Sequence, residues 1–175
     1  MHPYKKIAII GNAGSGKTTL SKKIAQITDL PLKHLDRYFW KPNWQEPNRK
    51  EFKKTHDLLC DQGEWIIEGI STKTAQYRFE RADVIIFLDT SKWTCLYRIS
   101  KRACINWNQE ICAPGCKERG PTLKFLSFIW NFNKNRRQII LDMLPQYSNN
   151  KVKIIKTKND ENQLLKLLDN LNKKK

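Results

Sequence analysis

The octapeptide Gly11-Asn12-Ala13-Gly14-Ser15-Gly16-Lys17-Thr18 satisfies the pattern GxxxxGK[ST] at every specified position. Before it, Lys5 to Ile10 (KKIAII) reads as a buried strand. After it, Thr18 to Ile27 reads as a helix with Leu20, Ile24 and Ile27 on one side. The strand, loop and helix that this motif requires are therefore present. Glycines let the loop turn consecutive N–H groups toward one anion, and the helix opening at Gly16 adds the positive end of its dipole. Gly11, Asn12, Ala13, Gly14, Ser15, Gly16, Lys17, Thr18 and Thr19 are thus expected to cradle a nucleoside triphosphate. In that role Lys17 reaches the β- and γ-phosphates, the Thr18 hydroxyl sits on a magnesium ion, and Thr19 adds a hydroxyl at the α-phosphate.

At 175 residues the chain is expected to form a single domain with a sizeable core. Its apolar stretches, among them Ile7 to Ile10 and Phe125 to Trp130, fall far short of the ~18 residues of a membrane span and are too short for a signal-peptide core. A soluble, unprocessed protein follows as the expectation. Five cysteines, an odd number, argue against a disulfide framework and for reduced thiols in the cytoplasm. The net charge of +16 is unevenly spread: residues 91–156 hold 13 Lys and Arg against 3 Asp and Glu. Anionic partners are implied, and charge alone fits either phosphorylated small molecules or nucleic acid.

Beyond the first helix, Leu30 to His34 reads as a second short strand that delivers Asp36 to its carboxyl end, where open α/β sheets bind ligands. Arg37 to Trp44 is aromatic, contains a proline and lacks a period, so it reads as a loop. A helix is expected from Pro47 to Gln62-Gly63, with Phe52, Thr55, Leu58 and Leu59 at helical spacing. Trp65 to Gly69 and Ala82 to Asp89 read as third and fourth strands, apolar on both faces as parallel core strands are. The polar stretch Ser71 to Arg81 between them reads as a short helix or turn in which Lys73, Arg78 and Arg81 are available for anions.

Ser91 is expected to cap a helix through about Trp107 that places Arg98 and Arg102 on one face, four residues apart. Residues 104–121 contain a Gly- and Pro-interrupted stretch, a candidate lid. A helix from Thr122 to Leu144 carries Arg136 and Arg137, which read either as a solvated face or as acceptor-binding residues. It is followed by a strand from Val152 to Lys156, a helix from Asn159 to Leu171 and the tail Lys173-Lys174-Lys175. Five β-α repeats around one parallel sheet define a three-layer α/β/α architecture.

The P-loop, HLDxxxW (His34 to Trp40), WIIEG (Trp65 to Gly69), RADVIIFLD (Arg81 to Asp89), LYRISKR (Leu96 to Arg102) and APGCKER (Ala113 to Arg119), in this order, resemble the adenylate-kinase-like P-loop proteins called DNA topology modulation, or FlaR-related, proteins. The resemblance implies a nucleoside-monophosphate-kinase-like core with sheet order 2-3-1-4-5, an arginine-bearing lid after the fourth strand, and ATP or GTP with Mg2+. Carried over residue by residue, it makes Asp36 an acid facing the acceptor, Arg98 and Arg102 lid-side arginines, and Glu68 the acid before glycine, where the family carries Asp. Glu68 joins Thr18 as a metal-side residue, through a bound water, and Asp89 is the alternative acid.

Lys17, Asp36, Arg98 and Arg102 are accordingly the residues expected to carry transfer of a γ-phosphoryl to a small acceptor, nucleotide-like and anionic or hydroxylated. A P-loop ATPase or switch, and an ATP-gated nucleic-acid-binding protein, stand as the alternatives. Cys104, Cys112 and Cys116 lack the paired spacing of a zinc site.

Overall fold

Successive residues of β1 (Lys6–Gly11) bury in opposite layers. Ile7 and Ile9 enter one apolar cluster, and Ala8 and Ile10 enter another. A strand covered on both faces needs no polar alternation, which is why its sequence is a continuous apolar run. The computed structural model describes residues 3–173, so Lys174 and Lys175 of the basic tail lie outside the described residues. Five parallel strands, with β2 at Leu32–His34, β3 at Trp65–Glu68, β4 at Val84–Leu88 and β5 at Val152–Ile155, lie in the order β2-β3-β1-β4-β5, the order that the family resemblance implies. Ile9 registers with Glu68 on one side and Ile86 on the other, so the carboxyl ends of β1 and β3 deliver the P-loop and an acid side by side.

One layer packs α1 (Lys17–Thr28) and the C-terminal helix (Lys158–Lys173) on the sheet through Leu20, Ile24, Leu164 and Leu168. The other layer joins Leu59, Ala75, Phe79, Ile140 and Leu144 from several helices to Trp65, Ile67, Ile85 and Phe87. Among the described residues no helix is long and apolar enough to cross a membrane.

Several elements differ from their sequence reading. The aromatic stretch holds a short helix, α2 (Leu35–Phe39), and a 3-10 turn at Pro42–Trp44. Phe39 meets Phe52 edge-on at 5.0 Å, and this tertiary packing onto α3 (Arg49–Asp61) orders a segment that has no period of its own. In α3 the inward face is Phe52, His56, Leu59 and Cys60, while Leu58 is exposed. The ring of His56 takes the core place that spacing gives to an aliphatic residue. After β3, α4 (Ala75–Arg81) occupies the polar stretch, and α5 (Lys92–Ile105) follows β4 with Ser91 at its N-cap position but without a side-chain cap bond. The helix read as Thr122 to Leu144 is α6 (Leu123–Trp130), a π-helical turn (Asn133–Arg137) and α7 (Gln138–Met143). The widened turn accompanies a chelate of Asp89 by Arg137, with Nε and Nη2 at 2.7 and 2.8 Å. Completing the set, α8 is the C-terminal helix already described.

Candidate active site

The loop between β1 and α1 turns through two left-handed glycines, Gly14 at φ 76° and Gly16 at φ 103°. At Gly14 a Cβ would also stand 2.5 Å from the Cys95 carbonyl oxygen of α5, so both backbone and packing demand glycine there. Around this turn the chain is tied from several sides. The Asn12 side chain accepts from Ala13 N at 2.8 Å and donates to Ile129 O at 3.0 Å. Arg98 Nη1 and the Thr90 hydroxyl both donate to Ser15 O, at 3.0 and 3.2 Å. Lys17 is buried, and its Nζ donates to Asn12 O at 2.9 Å, folding the cation back over the loop. Ser15 Oγ is buried without a hydrogen-bond partner. An orphaned hydroxyl beside a buried lysine at a helix N-terminus fits an anion such as a phosphate group.

Glu68, at the end of β3, is buried beside this loop. Its Oε1 accepts from the Thr18 hydroxyl at 3.0 Å and from His34 Nδ1 at 2.7 Å. Burial would raise this carboxyl, but the His34 hydrogen bond, the charge of Lys17 and the Thr18 hydroxyl outweigh it and hold it below the ordinary glutamate value. An ionised carboxylate and a hydroxyl, both hard oxygens, are a donor set that suits Mg2+ with its remaining positions filled by water and phosphate. The longer side chain of Glu68 thus still reaches Thr18, and His34 orients Glu68.

Asp36 lies in the first turn of α2. Its carboxyl is pushed up by dense surrounding protein and by the charge of Glu68, against the pull of Lys17, Arg102 and His34. Although its surface is only half-buried, all four of these charged neighbours act on it, so the P-loop lysine and both acids share one local field.

Arg98 and Arg102 share a helix face but serve different elements. While Arg98 holds the P-loop, Arg102 donates through Nε and Nη2 to Glu118 Oε2 at 3.1 and 3.0 Å. Glu118 is buried in the Gly- and Pro-interrupted excursion. Sequence reading missed it, because nothing in its own stretch marks an acid whose partner lies on the preceding helix. Asp89 and Arg137 pair with each other, which ties the alternative acid into the scaffold.

The excursion folds across the aromatic segment. Asn43 N donates to Gly115 O at 3.1 Å, Trp44 Nε1 donates to Lys117 O at 3.0 Å, and the Cys116 thiol donates to Lys41 O at 3.3 Å. A cleft of about 300 Å³ lined by Asn43, Trp44, Gly115, Lys117 and Arg119 marks this junction. Asn43 and Trp44 both adopt left-handed backbone, at φ 60° and 59°, a conformation that costs a bulky residue of order 1 kcal/mol or more and that the latch must hold. Burial pushes the Cys112 thiol up to about 12, with Asp36 and Cys116 adding to the effect, so the excursion lies close to Asp36. Among the described residues no three His, Cys, Asp or Glu side chains are grouped to hold a metal ion.

This architecture is that of the P-loop kinase fold. Shikimate kinase from Acinetobacter baumannii in complex with shikimate superposes with a TM-score of 0.64 at 14% identity, covering 99% of this chain and 96% of that one. Shikimate kinase from Aquifex aeolicus gives 0.57 at 16% identity over 93% and 92% of the two chains. A gluconokinase from Sinorhizobium meliloti gives 0.54 at 14% identity over 97% and 92%. At such identities the likeness establishes the fold. No protein-family model matches the chain, and no curated protein matches it.

Proposed function

We propose that this protein is a small-molecule kinase that uses Mg-ATP or Mg-GTP to phosphorylate a small acceptor at the carboxyl end of its sheet. The observation that carries this reading is the Thr18–Glu68 contact of 3.0 Å beside Lys17, with the Asp36 carboxyl in the same field. The fold relatives, which include shikimate kinases and a gluconokinase, support the same reaction class. Membership in the DNA topology modulation family rests on the motif order HLDxxxW, WIIEG and APGCKER and is part of this proposal.

In the proposed mechanism the P-loop amides and Lys17 hold the phosphates in line with the acceptor. Thr18 and Glu68 would hold Mg2+, which when bound neutralises charge on the β- and γ-phosphates. Asp36 accepts the proton of an acceptor hydroxyl. The burial and the Glu68 charge that raise its proton affinity make it a stronger base than a free aspartate. Arg98 keeps the loop in shape from beneath, and Arg102 presents positive charge near Asp36 while anchored by Glu118. The excursion over Asp36 keeps water from the transfer.

Incubation with Mg-ATP and a panel of nucleoside monophosphates, nucleosides, hydroxy acids and sugars, with ADP release followed, tests the reading. Stimulation of ADP release by one acceptor class, with the phosphorylated acceptor recovered, is expected. ADP release that no acceptor stimulates, with inorganic phosphate as its sole co-product, would favour an ATPase.

A further inference from the structure

Arg78 is fully buried in α4, between the carboxyl end of β3 and α3. Its Nη2 donates to Gly69 O in a long bond of 3.4 Å, while Nε and Nη1 have no hydrogen-bond partner. The Phe79 ring lies 5.9 Å away, at the outer range of a cation–π interaction, and Cys60 and His56 lie within range of the charge. No carboxylate among the described residues forms an ion pair with it; Glu68 acts on it at longer range and is already engaged by Thr18 and His34. Burial pulls the guanidinium down to about 10, which leaves it charged at neutral pH.

An isolated buried cation is expensive, and the usual solution is an opposite charge held by hydrogen bonds. The described residues supply none, and a structural role would be served more cheaply by an apolar side chain of the same size. The position matters as much as the charge. Gly69 follows Glu68 directly and packs beneath α2, where a Cβ would stand 2.7 Å from Leu35 Cβ, and Leu35 precedes Asp36. Through its bond to Gly69, Arg78 is thus tied one residue from the metal-side acid, and Gly69 in turn packs against the residue that precedes the proposed base.

We propose that Arg78 is the anion anchor of the acceptor site, and that the acceptor carries a carboxylate or phosphate group that pairs with its Nε and Nη1. This rests on the kinase reading and narrows it. The acceptor then presents two functions, a hydroxyl or phosphate oxygen toward Asp36 and an oxyanion toward Arg78. A guanidinium suits this task because its planar fork binds two oxygens at once. Because these N–H groups are sealed from solvent, the acceptor's anion reaches them only as the packing around Arg78 opens.

The test uses the 175-residue chain saturated with Mg2+ and a non-hydrolysable ATP analogue, whose binding is measured first by calorimetry. The Arg78 Nε–H resonance, assigned by its loss in Arg78→Met, is followed by nitrogen–proton correlation spectroscopy during titration with inorganic phosphate and, separately, acetate. Sodium chloride holds the ionic strength constant. A saturable shift with phosphate, acetate or both is expected, and the stronger of the two names the acceptor's anion. Arg78→Met should melt no lower than wild type and should lose the anion-induced rise in melting temperature. Arg78→Lys should keep that rise with an affinity about tenfold weaker. An Nε resonance that neither anion moves overturns the proposal. So does an Arg78→Met protein that melts much lower yet keeps the full anion response. Failure of the ATP analogue to bind would instead overturn the kinase reading, and the Nε titration would still report on Arg78.

Discussion

The nucleotide side of the proposed site is shaped first by contacts within one octapeptide, whereas the acceptor side is closed by contacts between distant segments. Gly14, Gly16, the Lys17–Asn12 bond and the Asn12–Ala13 bond build the turn locally, and Ile129, Thr90 and Arg98 then tie it to the scaffold. On the acceptor side the closing contacts join residues more than 70 positions apart, as in Trp44 to Lys117 and Cys116 to Lys41. A turn shaped by its own glycines and then tied to α5 and α6 stays in place with the folded scaffold. A latch made of a few distant hydrogen bonds can open while the rest of the molecule stays folded. The nucleotide side is thus built as a fixed seat and the acceptor side as a closure.

Among the contacts that hold the two sides in place, the largest effect should come from the seat. Lys17→Ala removes the one cation within the loop, and kcat/KM for ATP is expected to fall roughly 10²–10³-fold, the cost of losing one charged contact to the transferring group. Its melting temperature should stay near wild type, since Nζ bonds only a loop carbonyl. Unchanged turnover in the folded variant would break the contrast at its base.

Next in size is an acid sensitivity confined to the acceptor-side layer. His56 is fully buried in α3, and burial together with the Arg78 charge pulls its pKa down to about 4. The unfolded chain takes up a proton below about pH 6.5 while the folded chain does not, so stability is complete above that pH and is lost as the pH falls toward 4. The shift corresponds to about 3 kcal/mol at most. Denaturant unfolding at pH 7 and pH 4.5 should show a loss of that order, which His56→Leu should largely remove. An equal pH slope in both proteins would mean that other groups dominate.

Glu118→Gln sharpens the comparison, because it frees Arg102 without touching the seat. An approximately tenfold drop in acceptor-dependent turnover is expected, with nucleotide affinity within about twofold of wild type. A fall in nucleotide affinity as large as the fall in turnover would show that Arg102 serves the nucleotide side. Smallest of all, Trp44→Phe deletes one latch hydrogen bond. A rise of a few-fold in acceptor KM, with kcat little changed, is the expected reading.

The same difference in reach explains what the sequence disclosed. The octapeptide and the apolar strands were legible, because motif spacing and burial on both faces are recorded in neighbouring residues, while the sheet order was implied only by the family resemblance. Glu68 and Asp36 were legible as acids at strand ends. His34 stands two residues before Asp36 in the chain, whereas its hydrogen bond is to Glu68, 34 positions on. Arg98 and Arg102 were read as one cationic pair, and no local signal separates a partner at Ser15 from a partner at Glu118. Arg78 stood in a polar stretch beside Lys73 and Arg81, and only tertiary burial distinguishes it: Arg81 is partly exposed and pairs with Asp61, while Arg78 is sealed in with unpaired N–H groups. Leu58 shows the reverse error, an apolar residue at helical spacing that faces solvent because His56 fills the core position.

The central claim is that a fixed nucleotide seat and a separate acceptor-side base act together in phosphoryl transfer. Its most direct test is Asp36→Asn, which keeps the shape of the side chain and removes its charge. Mg-ATP binding is measured by calorimetry, and phosphorylated product by its release with the acceptor found in the panel. The account predicts nucleotide affinity within about twofold of wild type and product formation reduced by roughly 10²–10⁴-fold, the range for loss of a general base. Product formation at the wild-type rate would contradict it.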